Sequence, residues 1–258
     1  MNTTVAAQMT GADFLKLRRK RGTLIWALVL ALGPILIYFT VAAIQHASNP
    51  VKYGPAGGVH NFGDGLRVIA LFFGPLAAIL IGVEAGAGDA SAGVFRDLVV
   101  TGRSRLALFA SRVPAALAIC WIVMLSGYAL LVLGIFVFAG NLATPDFALL
   151  LNGLAFTFLG TGVLCVVAVG LASLTTSKAG AIIALIAWQI VASPLITHIS
   201  SLGSARNAVL TQAIAHFSPV SVDGAHVTMS GATAVVVLLG WLVAFLGLGA
   251  WRTRTMDA

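Results

Sequence analysis

Three of the eight acidic residues and four of the fifteen basic ones fall within one stretch, Glu84 to Arg112, which reads EAGAGDASAGVFRDLVVTGRSRLALFASR. Opposite charges at this density suit polar docking to another protein. Carboxylates near a membrane also suit acid–base chemistry, but that needs a nucleophile, a base or a metal beside them, and the stretch contains neither His nor Cys. A GxxxxGK[ST] phosphate loop is absent from the whole chain, so the backbone nest that ordinarily cradles ATP is missing. This chain is therefore not expected to hydrolyse ATP itself.

Within the stretch, Gly93–Val100 (GVFRDLVV) has helical spacing, with Val94 and Leu98 on one side and Arg96 and Asp97 elsewhere. Thr101–Gly102 reads as a turn, and Ser104 is placed to cap the next helix. A solvated loop has no need of apolar residues at helical spacing, so this segment is expected to be a short amphipathic helix against which something docks. Glu84 stands at the end of an apolar run, where an ionisable side chain is either functional or simply interfacial. Asn152, Thr157 and Thr161 lie along the fourth apolar run of the chain, and Gln189 mid-way along the fifth. They are candidates for a substrate path, with interhelical hydrogen bonding as the competing role, worth about 0.6–2 kcal/mol each.

The elements that carry these residues follow from composition. Apolar residues make up 59% of the 258, and charged residues only 9%, too few to clothe a soluble domain of this size. Six stretches approach the roughly 20 residues that a spanning helix requires: Leu24–Ile44, Leu66–Val83, Val113–Ala139, Phe147–Leu171, Ala179–Ile199 and Ala232–Ala250. The second is expected to be the shortest. The alternating ten-residue segments of a transmembrane β-barrel are absent. The first stretch is too long for a cleavable signal peptide and lacks a small-residue cleavage site, so it is retained as a span. Cys120 and Cys165 fall inside spans and read as small core hydrophobes.

Basic residues orient the bundle. Lys16, Arg18, Arg19, Lys20 and Arg21 precede span one; Arg96, Arg103, Arg105 and Arg112 lie between spans two and three. Lys178 separates spans four and five, and Arg252 and Arg254 follow span six. Only Lys52, Arg67 and Arg206 fall on the other side. Short loops rich in Lys and Arg stay in the cytoplasm, so both termini are expected inside. Orientation and anionic headgroups account for the net charge of +7, and no nucleic-acid partner is implied. The five histidines (His46, His60, His198, His216 and His226) then lie on the outer side, without an i, i+4 pair or a Cys partner, so no metal site is expected.

Outside the spans, Gly11–Arg21 reads as an interfacial helix, with Phe14, Leu15 and Leu17 toward lipid and the basic side chains toward headgroups. Gln45–Gly65 is rich in Gly, Pro and Asn and is expected to be irregular. Pro34 and Pro75 are expected to kink spans one and two or to free carbonyls there. In Ser200–Gly231, Ala205, Val209, Ala213 and Phe217 approximate one face of a helix too short to span, and a re-entrant or interfacial segment is expected. Gly82 and Gly86, four residues apart, permit close helix approach. The expected fold is thus an all-α integral membrane protein, a single domain over 1–258.

The arrangement of Glu84 through Arg112 resembles the type-2 ABC transporter permeases, the family of drug, antibiotic and bacteriocin-immunity exporters. The matching positions are Asp89 or Glu84 for the acidic residue, then Gly93, Leu98, Gly102, the Ser104–Arg105 pair and Arg112. Val94, Gly102 and Arg112 stand where that family usually has Thr, Pro and Lys. The resemblance implies a six-span permease subunit of the bacterial plasma membrane, paired with a second permease copy or a related chain. It also implies two copies of a separate ABC ATPase subunit, which would hold the ATP and Mg; no cofactor is expected on this chain. Glu84, Asp89, Gly93, Val94, Phe95, Arg96, Asp97, Leu98, Gly102, Arg105 and Arg112 would form the ATPase-coupling region. An amphipathic or lipid-like cargo, moved outward, fits an apolar lining of spans two and five. The rival classes are an ion-coupled secondary transporter, which places paired carboxylates or broken helices at the midplane, a membrane-embedded enzyme, and a non-transporting assembly subunit.

Overall fold

In lipid a spanning segment must satisfy its own backbone, and a sequence of apolar runs with no alternation leaves the helix as the way to do so. The computed structural model describes residues 3–93, 104–220 and 229–255, and every regular element among them is helical. Six helices are long and apolar enough to cross a membrane: span one Arg21–Ser48, span two Gly58–Ser91, span three Arg105–Val137, span four Phe147–Thr175, span five Lys178–His198 and span six Gly231–Thr255. Their polar starts are capped as the sequence dictates. Ser104 Oγ accepts from Ala107 N at 3.2 Å, Asp146 Oδ1 from Leu149 N at 2.8 Å, and Ser177 Oγ from Gly180 N at 3.2 Å. Thr176, in the left-handed conformation with φ 56°, turns the chain from span four into span five.

Span two overturns two expectations. It is the longest of the six, 34 residues, whereas span five, at 21, is the shortest. The expected irregular loop over Gln45–Gly65 gives way at Gly58, where Gly58–Arg67 is already helical. Hydropathy hides this turn because His60, Asn61 and Asp64 interrupt the apolar pattern. Local bonds secure it: Gly57 N donates to Phe138 O at 2.8 Å, Val59 N to Ala143 O at 2.9 Å, and Asn61 Nδ2 to Gly57 O at 2.7 Å. Gly58 has φ +87°, and a Cβ there would run into Leu142, so the entry to the span needs glycine.

The N-terminal helix also differs from expectation. It runs Thr3–Arg19 rather than beginning at Gly11, and it is separated from span one by a non-helical Lys20. Leu15 is exposed, but Leu17 is buried and Phe14 packs against the core instead of facing lipid. The reason is tertiary: Ser111 Oγ of span three donates to Asp13 Oδ2 at 2.6 Å, drawing this helix onto span three. On the opposite end of the bundle, the single face expected over Ala205, Val209, Ala213 and Phe217 is broken. Ser200–Ala208 is a tight 3₁₀ segment, Val209 is extended, and Leu210–Ala215 is a separate short helix. Val209 and Ala213 are buried, whereas Ala205 and Phe217 are exposed.

Span four is the axis of the bundle, with 72% of its most apolar window buried against 11% for span six. Glycines let its neighbours reach its backbone. A Cβ on Gly82 would overlap Cys165 O and Ala168, and one on Gly86 would overlap Val169 O and Ala172, so the small-residue spacing on span two marks its contact with span four. A second such contact, which the sequence reading missed, joins Gly170 of span four to Phe245 and Gly249 of span six. Cys120 and Cys165 are free and buried, as expected of core hydrophobes.

Replacing Gly82 or Gly86 with Leu is expected to force spans two and four apart, at a cost of about 1–3 kcal/mol typical of overpacking. The measurement is the thermal unfolding of purified protein in detergent, with Gly240→Leu as the control, because Gly240 has no neighbour near its Cβ position. Equal unfolding temperatures for the three variants would count against the contact.

Candidate functional site

The charged residues that the sequence places around the 84–112 stretch are drawn together at one end of the bundle. Asp89, in the last turns of span two, is 2% exposed. Its Oδ2 accepts from Arg112 Nη2 at 3.1 Å, and its Oδ1 takes a short hydrogen bond from Lys16 of the N-terminal helix. Arg112, itself 4% exposed, uses Nη1 on Gly86 O at 3.1 Å, and Ser173 Oγ of span four shares that carbonyl at 3.3 Å. One turn and a half before Asp89, Glu84 accepts from Lys178 Nζ at 2.9 Å, and Lys20 Nζ stands 3.6 Å away. With the Ser111–Asp13 bond, the N-terminal helix, spans two, three and four and the start of span five converge on this network.

Burial ranks the two carboxylates. Lys178 and Lys20 remain about a third or more exposed, so water screens the Glu84 pairs and their worth is small. Asp89 and Arg112 have side chains only 3% and 5% exposed. For such a pair the desolvation cost offsets much of the mutual attraction, so its presence is weak grounds for net stability. Removing one partner is a different matter, because it strands a charge away from water. The two candidates left open for the acidic motif position thus differ physically, and Asp89 is the one that spans depend on.

The network brackets the segment expected to dock. Asp89 lies four residues before Gly93, which has φ +72° and open space around it. Beyond the segment, Ser104 caps span three and Arg105 Nη1 donates to Arg254 O at the end of span six, at 3.4 Å. Val94, Phe95, Arg96, Asp97, Leu98 and Gly102 lie outside the described residues. Sequence reasoning found Glu84, Asp89, Arg105 and Arg112 but missed Lys16, Lys20 and Lys178 as partners of the two carboxylates, and the neighbouring Ser111–Asp13 and Ser173–Gly86 bonds. Nothing local signals these partners, because the Lys16–Asp89 contact joins positions 73 apart in the chain.

The polar residues proposed for a substrate path are not brought to one place. Asn152 is exposed. Thr157 and Thr161 are buried and donate to Gly153 O and Thr157 O of their own helix, at 2.9 and 2.6 Å. Gln189 alone of the four lines a cleft of about 280 Å³ between spans two and five, with Leu71, Phe72, Pro194 and Gln212 among its walls. Two wide i→i+5 turns face each other there, Val68–Phe73 and Trp188–Ala192. Each is followed by a small residue and a proline, Gly74–Pro75 and Ser193–Pro194. Pro75 has no N–H for Leu71 O, and Gln189 Nε2 donates to that carbonyl at 3.3 Å. The freed carbonyls expected near Pro75 are thus met from the neighbouring span, whereas Pro34 lies within an unbroken helix.

A family model described as ABC-2 family transporter protein matches residues 11–194, which takes in every member of the ion network. No curated protein matches the chain. Among the described residues there is no cluster of metal-ligating side chains.

Asp89→Ala is expected to destabilise the protein by about 3–5 kcal/mol, because it leaves the Arg112 guanidinium buried without its carboxylate. Glu84→Ala should cost less than about 1 kcal/mol. The double variant Asp89→Leu/Arg112→Met should recover much of the loss, since it removes both charges. Unfolding curves of the wild type, Asp89→Leu, Arg112→Met and the double variant measure this as a double-mutant cycle; additive losses for Asp89 and Arg112 would refute the pairing.

Proposed function

The chain belongs to the ABC-2 family of transporter proteins, and from that premise we propose how this multi-pass membrane permease is driven and what it moves. The family and the six spanning helices make it the permease component of an ABC transporter, associated with an ABC ATPase subunit and not itself the enzyme. The reading beyond this is an exporter of the bacterial plasma membrane. Both termini and the 94–103 segment face the cytoplasm, two ATPase copies dock there, and the permease acts as a dimer with itself or a related chain.

The observation that carries the reading is the network on Asp89. Gly93–Val100 is the coupling helix, with Val94, Phe95 and Leu98 as apolar anchors in an ATPase groove and Arg96 and Asp97 as polar contacts. Its two ends lead into helices clamped by Asp89 and Arg112. A push delivered to the segment by ATP-driven closure is therefore passed to spans two and three and the N-terminal helix as one body, rather than absorbed at the joints. The yield point lies farther along, at the paired wide turns of spans two and five, where the helical ladder is already opened. The cleft between those turns, apolar with a few amide and hydroxyl groups, supports an amphipathic or lipid-like cargo. An ion-gradient mechanism has less support: Asp89 and Glu84 lie at an end of span two and are held by cations rather than standing as carboxylates at mid-span, and the wide turns of spans two and five stay within continuous helices instead of breaking them.

Two measurements test the proposal. Phe95→Asp and Leu98→Asp, each made in the full transporter and reconstituted with its ATPase, should reduce transport and permease-stimulated ATP hydrolysis to the level of the ATPase alone. Both variants should still reach the membrane fraction. Undiminished stimulation would reject the coupling role. For orientation, Ser91→Cys should react with a membrane-impermeant maleimide in inside-out vesicles and not in intact cells, against a background kept low by the burial of Cys120 and Cys165. Labelling in intact cells would reverse the topology.

A further inference from the structure

Five cations crowd the junction between the N-terminal helix and span one, and the network uses only two of them, Lys16 on Asp89 and Lys20 on Glu84. Arg18 projects elsewhere. It borders a groove of about 420 Å³ formed by the N-terminal helix and spans one and three, and it has no ion-pair or hydrogen-bond partner among the described residues. The walls are Phe14 from the N-terminal helix, Leu24 and Leu28 from span one, and Ile119, Ile122 and Val123 from span three. The remaining polar group, Ser126, has spent its hydroxyl on Val123 O at 2.7 Å. From Ile119 to Ser126 the groove follows two turns of span three, about 10 Å of helix rise.

We propose that this groove is a binding site for one anionic glycerophospholipid, its phosphate on Arg18 and an acyl chain lying along Leu28, Ile122 and Val123. An apolar channel with no unspent polar group holds water poorly and is filled by hydrocarbon. The single guanidinium on its border selects the headgroup, since a fixed cation beside an apolar slot is complementary to an amphiphile with a negative head. The direction is set by placement. Arg18 is on the helix that joins span one at the basic end of the bundle, and the apolar walls run from there into the spans. Bound lipid would also wedge the N-terminal helix against spans one and three, and so hold in place the helix that delivers Lys16 to Asp89.

The test is lipid retention by the full-length protein, purified, delipidated in detergent and titrated with phosphatidylglycerol or phosphatidylcholine under native mass spectrometry. One phosphatidylglycerol per chain is expected to bind at least tenfold more tightly than phosphatidylcholine, about 1.4 kcal/mol, and to raise the unfolding temperature. Arg18→Glu should abolish that preference and Arg18→Lys should largely keep it. Ile122→Trp, on a side chain 57% exposed to the groove side, should block binding of either lipid without disturbing the core. Arg19→Glu, outside the groove, should change nothing. Equal binding of the two lipids, or an Arg19→Glu effect as large as that of Arg18→Glu, would overturn the site in favour of general attraction to a basic surface. Loss of a dimer in Ile122→Trp, with lipid binding intact, would assign the groove to a second copy of the chain.

Discussion

A carboxylate excluded from water beside two cations constrains the basic end of this bundle more than any apolar contact does. Hydrophobic packing tolerates small shifts, and within lipid it does little to choose one helix arrangement over another, because tails are as apolar as leucine. A buried charge is less forgiving. Asp89 has to find Arg112 and Lys16 within hydrogen-bonding range, which fixes the rotation of span two, the depth of span three and the seat of the N-terminal helix together. Gly86 belongs to the same device. Its missing side chain admits span four, and its carbonyl accepts from both Arg112 and Ser173.

The two ends of the bundle are built on opposite terms. The basic end is tied by ion pairs that cross between elements. At the other end the cations have partners that include near neighbours in the chain: Arg67 bonds Asp64 at 3.4 Å, Arg206 bonds Gly203 O at 3.0 Å and Thr197 O of span five at 3.3 Å, and Lys52 lies over the Tyr53 ring. Between the ends, spans two and five carry matched wide turns ahead of prolines, and Trp188 of span five meets Trp241 of span six at a tilted 5.3 Å, with Trp241 stacked on Phe245 of its own helix. Under the proposed coupling role, the ion-paired end would receive the push and the opened backbone ladders would yield farther along.

Hydropathy, basic-residue placement and the small-residue spacing of span two were legible in the chain, because each is a local property. Six spans, the cap at Ser104, the Gly82–Gly86 contact and the charge-rich 84–112 stretch follow from counting and period alone. The errors lie where local pattern and tertiary context diverge. Gly58–Arg67 is helical despite its polar residues, since Phe138 O and Ala143 O accept from the backbone at its start. Leu17 turns inward because Asp13 and Lys16, on the same helix, have partners on spans three and two.

What the sequence determined by itself was class and inventory: a multi-pass all-helical membrane protein, no phosphate loop, and which charges stand in and around the 84–112 stretch. Only tertiary structure decided that Asp89 rather than Glu84 is the buried hub, that Lys16 and Arg112 are its cations, and that Gln189 answers a carbonyl on span two. The physical reason is range. Helix formation and membrane insertion depend on neighbours within a few turns, whereas the pairing of buried charges depends on which helices meet, and those partners lie tens of residues apart in the chain.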